Sequence, residues 1–244
     1  MNTASTPVIG AGSFGLVLNE NNKAVKLIYD CHYIAALTHE AKMQRLARDI
    51  LSQTVPEVGV PEIFQVKSEI TKYNSKSYLR GLTMKYLPPP NSYNECVHIT
   101  LGYYGYDINT SWGVETLKPV SPENPTRGFF ADANHLEDIW AGEALQGLPE
   151  AEGSDMTVER LATIMGKATG TLVSAGFLPL DVEWIWSEGR PWLIDFGMCK
   201  LGHMDPHDFL AYPIYGPEAD VYIPKEGDEG RAEFMRGYLE NTNV

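Results

Sequence analysis

Cysteine is scarce in this chain, and the three present, Cys31, Cys96 and Cys199, are widely separated and odd in number. That spacing offers neither a disulfide framework nor a C-x-x-C metal clip, so a reducing, cytoplasmic setting is expected. Basic residues are also few: 19 Lys and Arg stand against 32 Asp and Glu, a formal net charge of −13. Proteins that grip a nucleic-acid backbone present a basic face, so nucleic acid is not an expected partner, although one locally positive pocket remains compatible with the total. No run of 18 apolar residues occurs, and the opening "MNTASTPVIG" has neither the basic nor the apolar region of a targeting segment. No membrane partner is expected. Internal repeats and low-complexity runs are missing too. With 43% hydrophobic residues, the chain can bury one sizeable core or two modest ones flanking a cleft.

The first legible segment, "PVIGAGSFGLVLNENNKAVKLIYD", divides into two apolar runs around the polar cluster "NENN", which predicts a hairpin. A preceding strand would arrive through Gly10, Gly12 and Gly15, whose G-x-G-x-x-G spacing fits a phosphate-covering loop but also an ordinary tight turn. From Tyr33 to about Gln53, Ile34, Leu37, Met43, Leu46 and Ile50 recur at helical spacing, and Val55-Pro56 supplies the stop. A second hairpin is expected from "IFQVKSEI" and "SYLRGLTMKYL" around "TKYNSK", ending in the stiff "LPPP" at 87–90. Residues 91–155 read as an atypical insertion with one helix at "HLEDIWAGEALQ". Further on, "DMTVERLATIMGKATGTLVSAGF" carries an apolar stripe, with Asp155 as the expected N-cap and Gly176 as the C-cap. Two short strands, "EWIWS" and "RPWLIDF", follow, and "GRAEFMRGYLE" is the helical part of the tail.

Asp195-Phe196-Gly197 thus stands after a strand hairpin, which is preceded by a loop containing Asp181 and by a helix. With Gly10 to Val17 matching G-x-G-x-x-G-x-V and Ala24-Val25-Lys26 matching the V-A-I-K strand, this order resembles the protein-kinase-like superfamily. The likeness covers residues 8–90 and 156–200. Within the superfamily, "DVEWIW…WLIDFGMCK" and "YPIYGPEADVYIP" resemble small kinase-like domains known mainly from fungal proteins.

The resemblance implies a two-lobed α+β fold: a β-rich N-lobe at 1–86, a hinge at 87–90 and a reduced C-lobe at 91–244. It implies ATP and Mg2+ as cofactors. The backbone of Gly10, Gly12 and Gly15, with Val17, would cover the nucleotide; Lys26, paired to Glu40, would neutralise its α and β phosphates. Met84 would be the gatekeeper, and Lys85-Tyr86-Leu87 the segment gripping the adenine edge. Asp181 would take or orient the proton of the attacking hydroxyl, and Asp195 would bind magnesium.

Two departures qualify what the likeness implies. The family's catalytic loop reads H-R-D-L-x-x-x-N, whereas here Pro179-Leu180 precede Asp181 and Trp186 stands five places beyond it, leaving Glu183 as the substitute oxygen ligand. The nearest relative of A-P-E is Gly216-Pro217-Glu218, within a short tail, so a small-molecule substrate is favoured over a protein one. The expected activity is phosphoryl transfer to a hydroxyl. The alternative is a pseudokinase or repurposed fold that binds a nucleotide or partner, or that works non-phosphoryl chemistry on a metabolite.

Overall fold

The computed structural model of the chain describes residues 7–12, 15–29, 34–89, 97–103, 106–111, 114–119, 127–131, 156–180, 182–210 and 231–242. The architecture is mixed α+β. Its first part is a five-stranded antiparallel sheet, built from β1 (Val8–Gly12), β2 (Gly15–Asn19), β3 (Lys23–Ile28), β4 (Ile63–Tyr73) and β5 (Lys76–Lys85) in the order β1-β2-β3-β5-β4. Between β3 and β4 runs helix α1 (Ile34–Thr54).

Local chemistry explains the hairpins. Asn21 and Asn22 join β2 to β3, and Asn74 and Ser75 join β4 to β5, each at positive φ between 47° and 66°. Positive φ at both central residues is the type I′ pattern, whose twist matches that of the flanking strands, and asparagine tolerates it better than most side chains. The second turn is tighter than the six residues "TKYNSK" suggest, because Thr71–Tyr73 and Lys76–Ser77 continue the ladder instead of looping out. In β3, Val25 and Leu27 pack with Leu18 and Tyr78 on one face, while Ile28 packs with Leu37, Ala41, Leu79 and Leu82 on the face toward α1.

The second part is helical, with small sheets. Helix α2 (Val158–Ser174) leads to β10 (Phe177–Leu178); the hairpin β11 (Glu183–Ser187) and β12 (Arg190–Ile194) turns through Glu188 and Gly189, again both at positive φ. Strands β6 (Val97–Tyr103) and β9 (Arg127–Ala131) extend that hairpin into a sheet of order β12-β11-β6-β9. Strands β7 (Tyr106–Ser111) and β8 (Val114–Pro119) form a separate hairpin. Beyond β13 (Lys200–Leu201), which pairs with β10, lie α3 (Pro206–Leu210) and α4 (Arg231–Glu240). The helix expected at "HLEDIWAGEALQ" falls outside the described residues.

One buried cluster unites these elements, from Met43, Ala47 and Leu51 of α1 through Leu161, Met165 and Leu172 of α2 to Trp184, Trp186, Phe196, Phe234 and Tyr238. Helix α2 starts two residues later than Asp155 implies: Thr157 is the N-cap, its hydroxyl accepting the Arg160 N–H at 3.2 Å. A cap must have extended backbone next to the first helical residue, and Thr157 alone has that place. At the other end Ala175 is the C-cap, and Gly176 at φ +74° takes the next position, where glycine is favoured. Among the described residues no helix is long and apolar enough to cross a membrane.

The two parts are stitched together by hydrogen bonds to backbone carbonyls. Gly59, in the turn after α1, donates to the Pro191 carbonyl and accepts from the Leu193 N–H, both at 2.9 Å. The Ser187 hydroxyl donates to the Pro88 carbonyl at 2.7 Å. These bonds fix α1 and the exit of β5 against the β11–β12 hairpin.

Candidate active site

The glycines meet at the tip of the first hairpin. Gly12 pairs with Gly15 across it, and one row of the sheet then carries Gly10, Val17, Lys26 and Leu82 from β1 to β5. Paired residues share a face, so this row looks the same way as Ile28, toward α1. Gly15 and Gly10 differ in what surrounds them. A Cβ on Gly15 would sit 1.8 Å from the Leu27 carbonyl oxygen, so its lack of a side chain serves the packing of β2 on β3. On Gly10 a Cβ would meet only Val17, at an ordinary 3.7 Å. Among the described residues, nothing else lies within 4 Å of that position.

Lys26 is the centre of the site. Its Nζ donates to both carboxylate oxygens of Glu40 at 2.8 Å, and Asp195 Oδ1 stands 4.0 Å away. Exposure rises across the trio: the Glu40 side chain is 7% exposed, Lys26 18% and Asp195 48%. The pair is therefore anchored inside while its third member faces solvent. Burial works against the charge on Lys26, yet the carboxylates of Glu40, Asp195 and Glu183 outweigh it and hold the ammonium above its ordinary 10.5. Burial, helped by Asp195, pushes the Glu40 carboxyl up against the pull of Lys26. Three carboxylates around one ammonium leave a local excess of negative charge. A divalent cation would relieve it.

Each acidic group is placed by an identifiable element. Glu40 lies in the second turn of α1, among the sheet-facing Leu37 and Ala41 and the core-facing Met43. Asp195 follows β12 directly and holds φ at +56°. Such a backbone costs most non-glycine residues free energy, Asp less than most, and the next residue, Phe196, is wholly buried and edge-on to Phe177. The tripeptide thus plants its Phe in the core and its Asp at the surface. Glu183 opens β11 opposite Ile194, the neighbour of Asp195, which brings its charge to bear on Lys26.

Met84 stands opposite Ala24, on the same face as Lys26 and two residues along β3, and its sulfur lies 3.8 Å from the Gln44 side-chain nitrogen. Tyr86, half-buried, is the first residue past β5. Asp181 lies outside the described residues, as does Gly216-Pro217-Glu218. Trp186, five places beyond Asp181, is 1% exposed and belongs to the core. It cannot serve as a ligand there.

Sequence reasoning passed over His39. Its Nε2 lies 2.7 Å from the carbonyl oxygen of Cys199, so α1 is tied to the segment after Asp195 by the residue adjacent to Glu40. Only its position beside Glu40 hinted at this, because a carbonyl 160 residues away leaves no local pattern. No family model matches this chain, and no curated protein matches it.

Proposed function

We propose that this chain is a kinase-like phosphotransferase, using ATP and Mg2+ to phosphorylate a hydroxyl on a small-molecule substrate. In this reading it has a two-lobed fold, with 1–86 as N-lobe, 87–90 as hinge and 91–244 as C-lobe. The observation that carries the proposal is Lys26 gripped by both oxygens of a buried Glu40, with the exposed Asp195 4.0 Å away. An ammonium fixed beside a solvent-facing carboxylate suits a polyphosphate held with a metal ion, and the local excess of negative charge fits the cation.

ATP with Mg2+, when bound, supplies the phosphoryl group that is transferred. The chain's own residues supply position and charge, which is most of what such a transfer needs. Lys26 would neutralise phosphate oxygens, held in place by its two bonds to Glu40. Asp195 and Glu183 would hold the metal. Gly10 would leave room for close backbone approach, Val17 would help cover the nucleotide, and Met84 and Tyr86 would border its base. Asp181 accepts or orients the proton of the acceptor hydroxyl.

Calorimetric titration with ATP, with and without magnesium, tests the binding half. Metal-dependent binding in the native chain, lost in Lys26→Ala and Asp195→Ala, is expected; native protein that ignores ATP would sink the proposal. Release or transfer of the γ-phosphate tests the other half. A second reading, a fold kept for binding alone, is favoured by Trp186, a side chain without oxygen, five places beyond Asp181. Magnesium-dependent binding without loss of the γ-phosphate would select it, while an intact fold that does not bind ATP would point to other chemistry on a metabolite.

A further inference from the structure

A pocket of about 320 Å3 opens between α1, the turn after it and β12. Arg48, Lys85 and Arg190 line it against one carboxylate, Glu62. In a chain of net charge −13, the three cations outnumber Glu62 and the Lys85 partner Glu188 by one, so the pocket is opposite in sign to the molecule. It is separate from the Lys26 site. Arg190 begins β12 at the turn end of the hairpin, whereas Glu183 and Ile194 close the other end, about 13 Å away at the rise of a strand.

The three cations differ in how far they are neutralised. Lys85 bonds Glu188 at 2.6 Å. Arg48 stands 3.8 Å from Glu62, with both side chains about half exposed. For Arg190, the contacts among the described residues are a long bond to the Pro56 carbonyl, 3.4 Å, and the Trp192 ring, 4.3 Å from the guanidinium carbon. Neither is a carboxylate. A guanidinium carries five N–H donors around its edge, and contact with an aromatic ring engages its face instead. Trp192 is a fixed platform, 2% exposed, with its indole N–H held by the Ser187 carbonyl at 2.9 Å. Arg190 is thereby held with donors to spare, and Lys85 lies against the same side chain, 4.4 Å from a ring centre. Pro56, which is exposed, adds an apolar lining, with the core residues Val58 and Val60 behind it.

We propose that this pocket is an oxyanion site, taking a carboxylate or phosphate carried on a small apolar body, with Arg190 as anchor and Lys85 and Arg48 as flanking cations. The fork of Arg190 matches either oxyanion in two-point contact. The apolar lining receives the rest of the ligand.

The test is calorimetric titration with phenyl phosphate, benzoate and inorganic phosphate, without nucleotide, together with the NMR shift of the Trp192 indole N–H. Saturable binding of phenyl phosphate or benzoate that moves the Trp192 resonance is expected, and whichever binds more tightly identifies the anion. Arg190→Gln should weaken it about tenfold or more, Arg190→Lys less, and Lys26→Ala not at all, since one charged hydrogen bond carries about that factor. Binding that leaves Trp192 unmoved, survives Arg190→Gln or disappears in Lys26→Ala would overturn the assignment. So would a failure of both aromatic anions to saturate, or inorganic phosphate binding as tightly as phenyl phosphate, which would remove the role of the apolar lining. The Trp192 resonance is read in the native chain, so a variant that fails to fold does not rescue the idea.

Discussion

Gly10 and Gly15 belong to one motif yet answer to different constraints, and substitution separates them. Gly15→Ala drives a methyl into the Leu27 carbonyl and should cost about 3 kcal/mol, the upper range for overpacking. Gly10→Ala should leave stability within about 0.5 kcal/mol while weakening magnesium-ATP binding. Urea denaturation and calorimetry read the two effects; a Gly15→Ala chain as stable as the native one would contradict the packing. Lys26 offers a second residue-scale test. Its folded-state pKa is raised, so its stabilisation is fully present below the unfolded value near 10.5 and is lost as pH climbs through the higher folded value. The stability gap between the native chain and Lys26→Met should therefore be constant from pH 7 to 9 and narrow above 10.5. A gap that widens there would reverse the sign argued for the pair.

At the scale of elements, α1 matters most because it serves two surfaces. Its first two turns pack Leu37 and Ala41 on the sheet, and the rest of it packs Met43, Ala47 and Leu51 into the larger core. Glu40 and His39 sit where the two surfaces meet, so the helix carries both the partner of Lys26 and the bond to Cys199. Helix α2 gives a simpler forecast. Thr157→Ala removes the oxygen that caps Arg160 N–H and should cost about 1 kcal/mol by thermal or urea unfolding, without altering ligand binding at Lys26. No loss at all would mean that another group satisfies the first turn. The helix itself was legible from its apolar stripe, but its first residue was not, since Asp155 and Thr157 are both good caps by type.

For the whole molecule, the bonds of Gly59 to Pro191 and Leu193, and of Ser187 to Pro88, make the sheet and the helical part share a boundary. Amide exchange should report this: the Leu193 N–H, which spans that boundary, should exchange only through the global opening, with the same urea dependence as amides of β3. Independent, faster exchange at Leu193 would show the boundary opening on its own. The succession β1 to β5 with its two asparagine-turned hairpins, the β11–β12 hairpin and helices α1 and α2 could be read along the chain because each rests on near neighbours: alternation, 3.6-residue periodicity and asparagine or glycine at positive φ. The side-by-side order of the strands, and the joining of β6 and β9 to β11, rest on pairing between distant segments and could not. The seam could not, since Gly59 and Leu193 lie far apart in sequence and backbone bonds carry no side-chain signature.

By itself the sequence determined the β-β-β-α-β-β succession, the strand hairpin before Asp195 and the presence of Lys26, Glu40 and Asp195 as candidates, because those follow from local pattern and spacing. Tertiary structure alone decided that Glu40 reaches Lys26 with both oxygens, that Gly15 is constrained by Leu27 while Gly10 is not, and that Arg48, Lys85 and Arg190 line one pocket. The reason is physical: a salt bridge, a steric clash and a charged cavity depend on distances between atoms brought together by burial of a common core, and no local pattern along the chain encodes those distances.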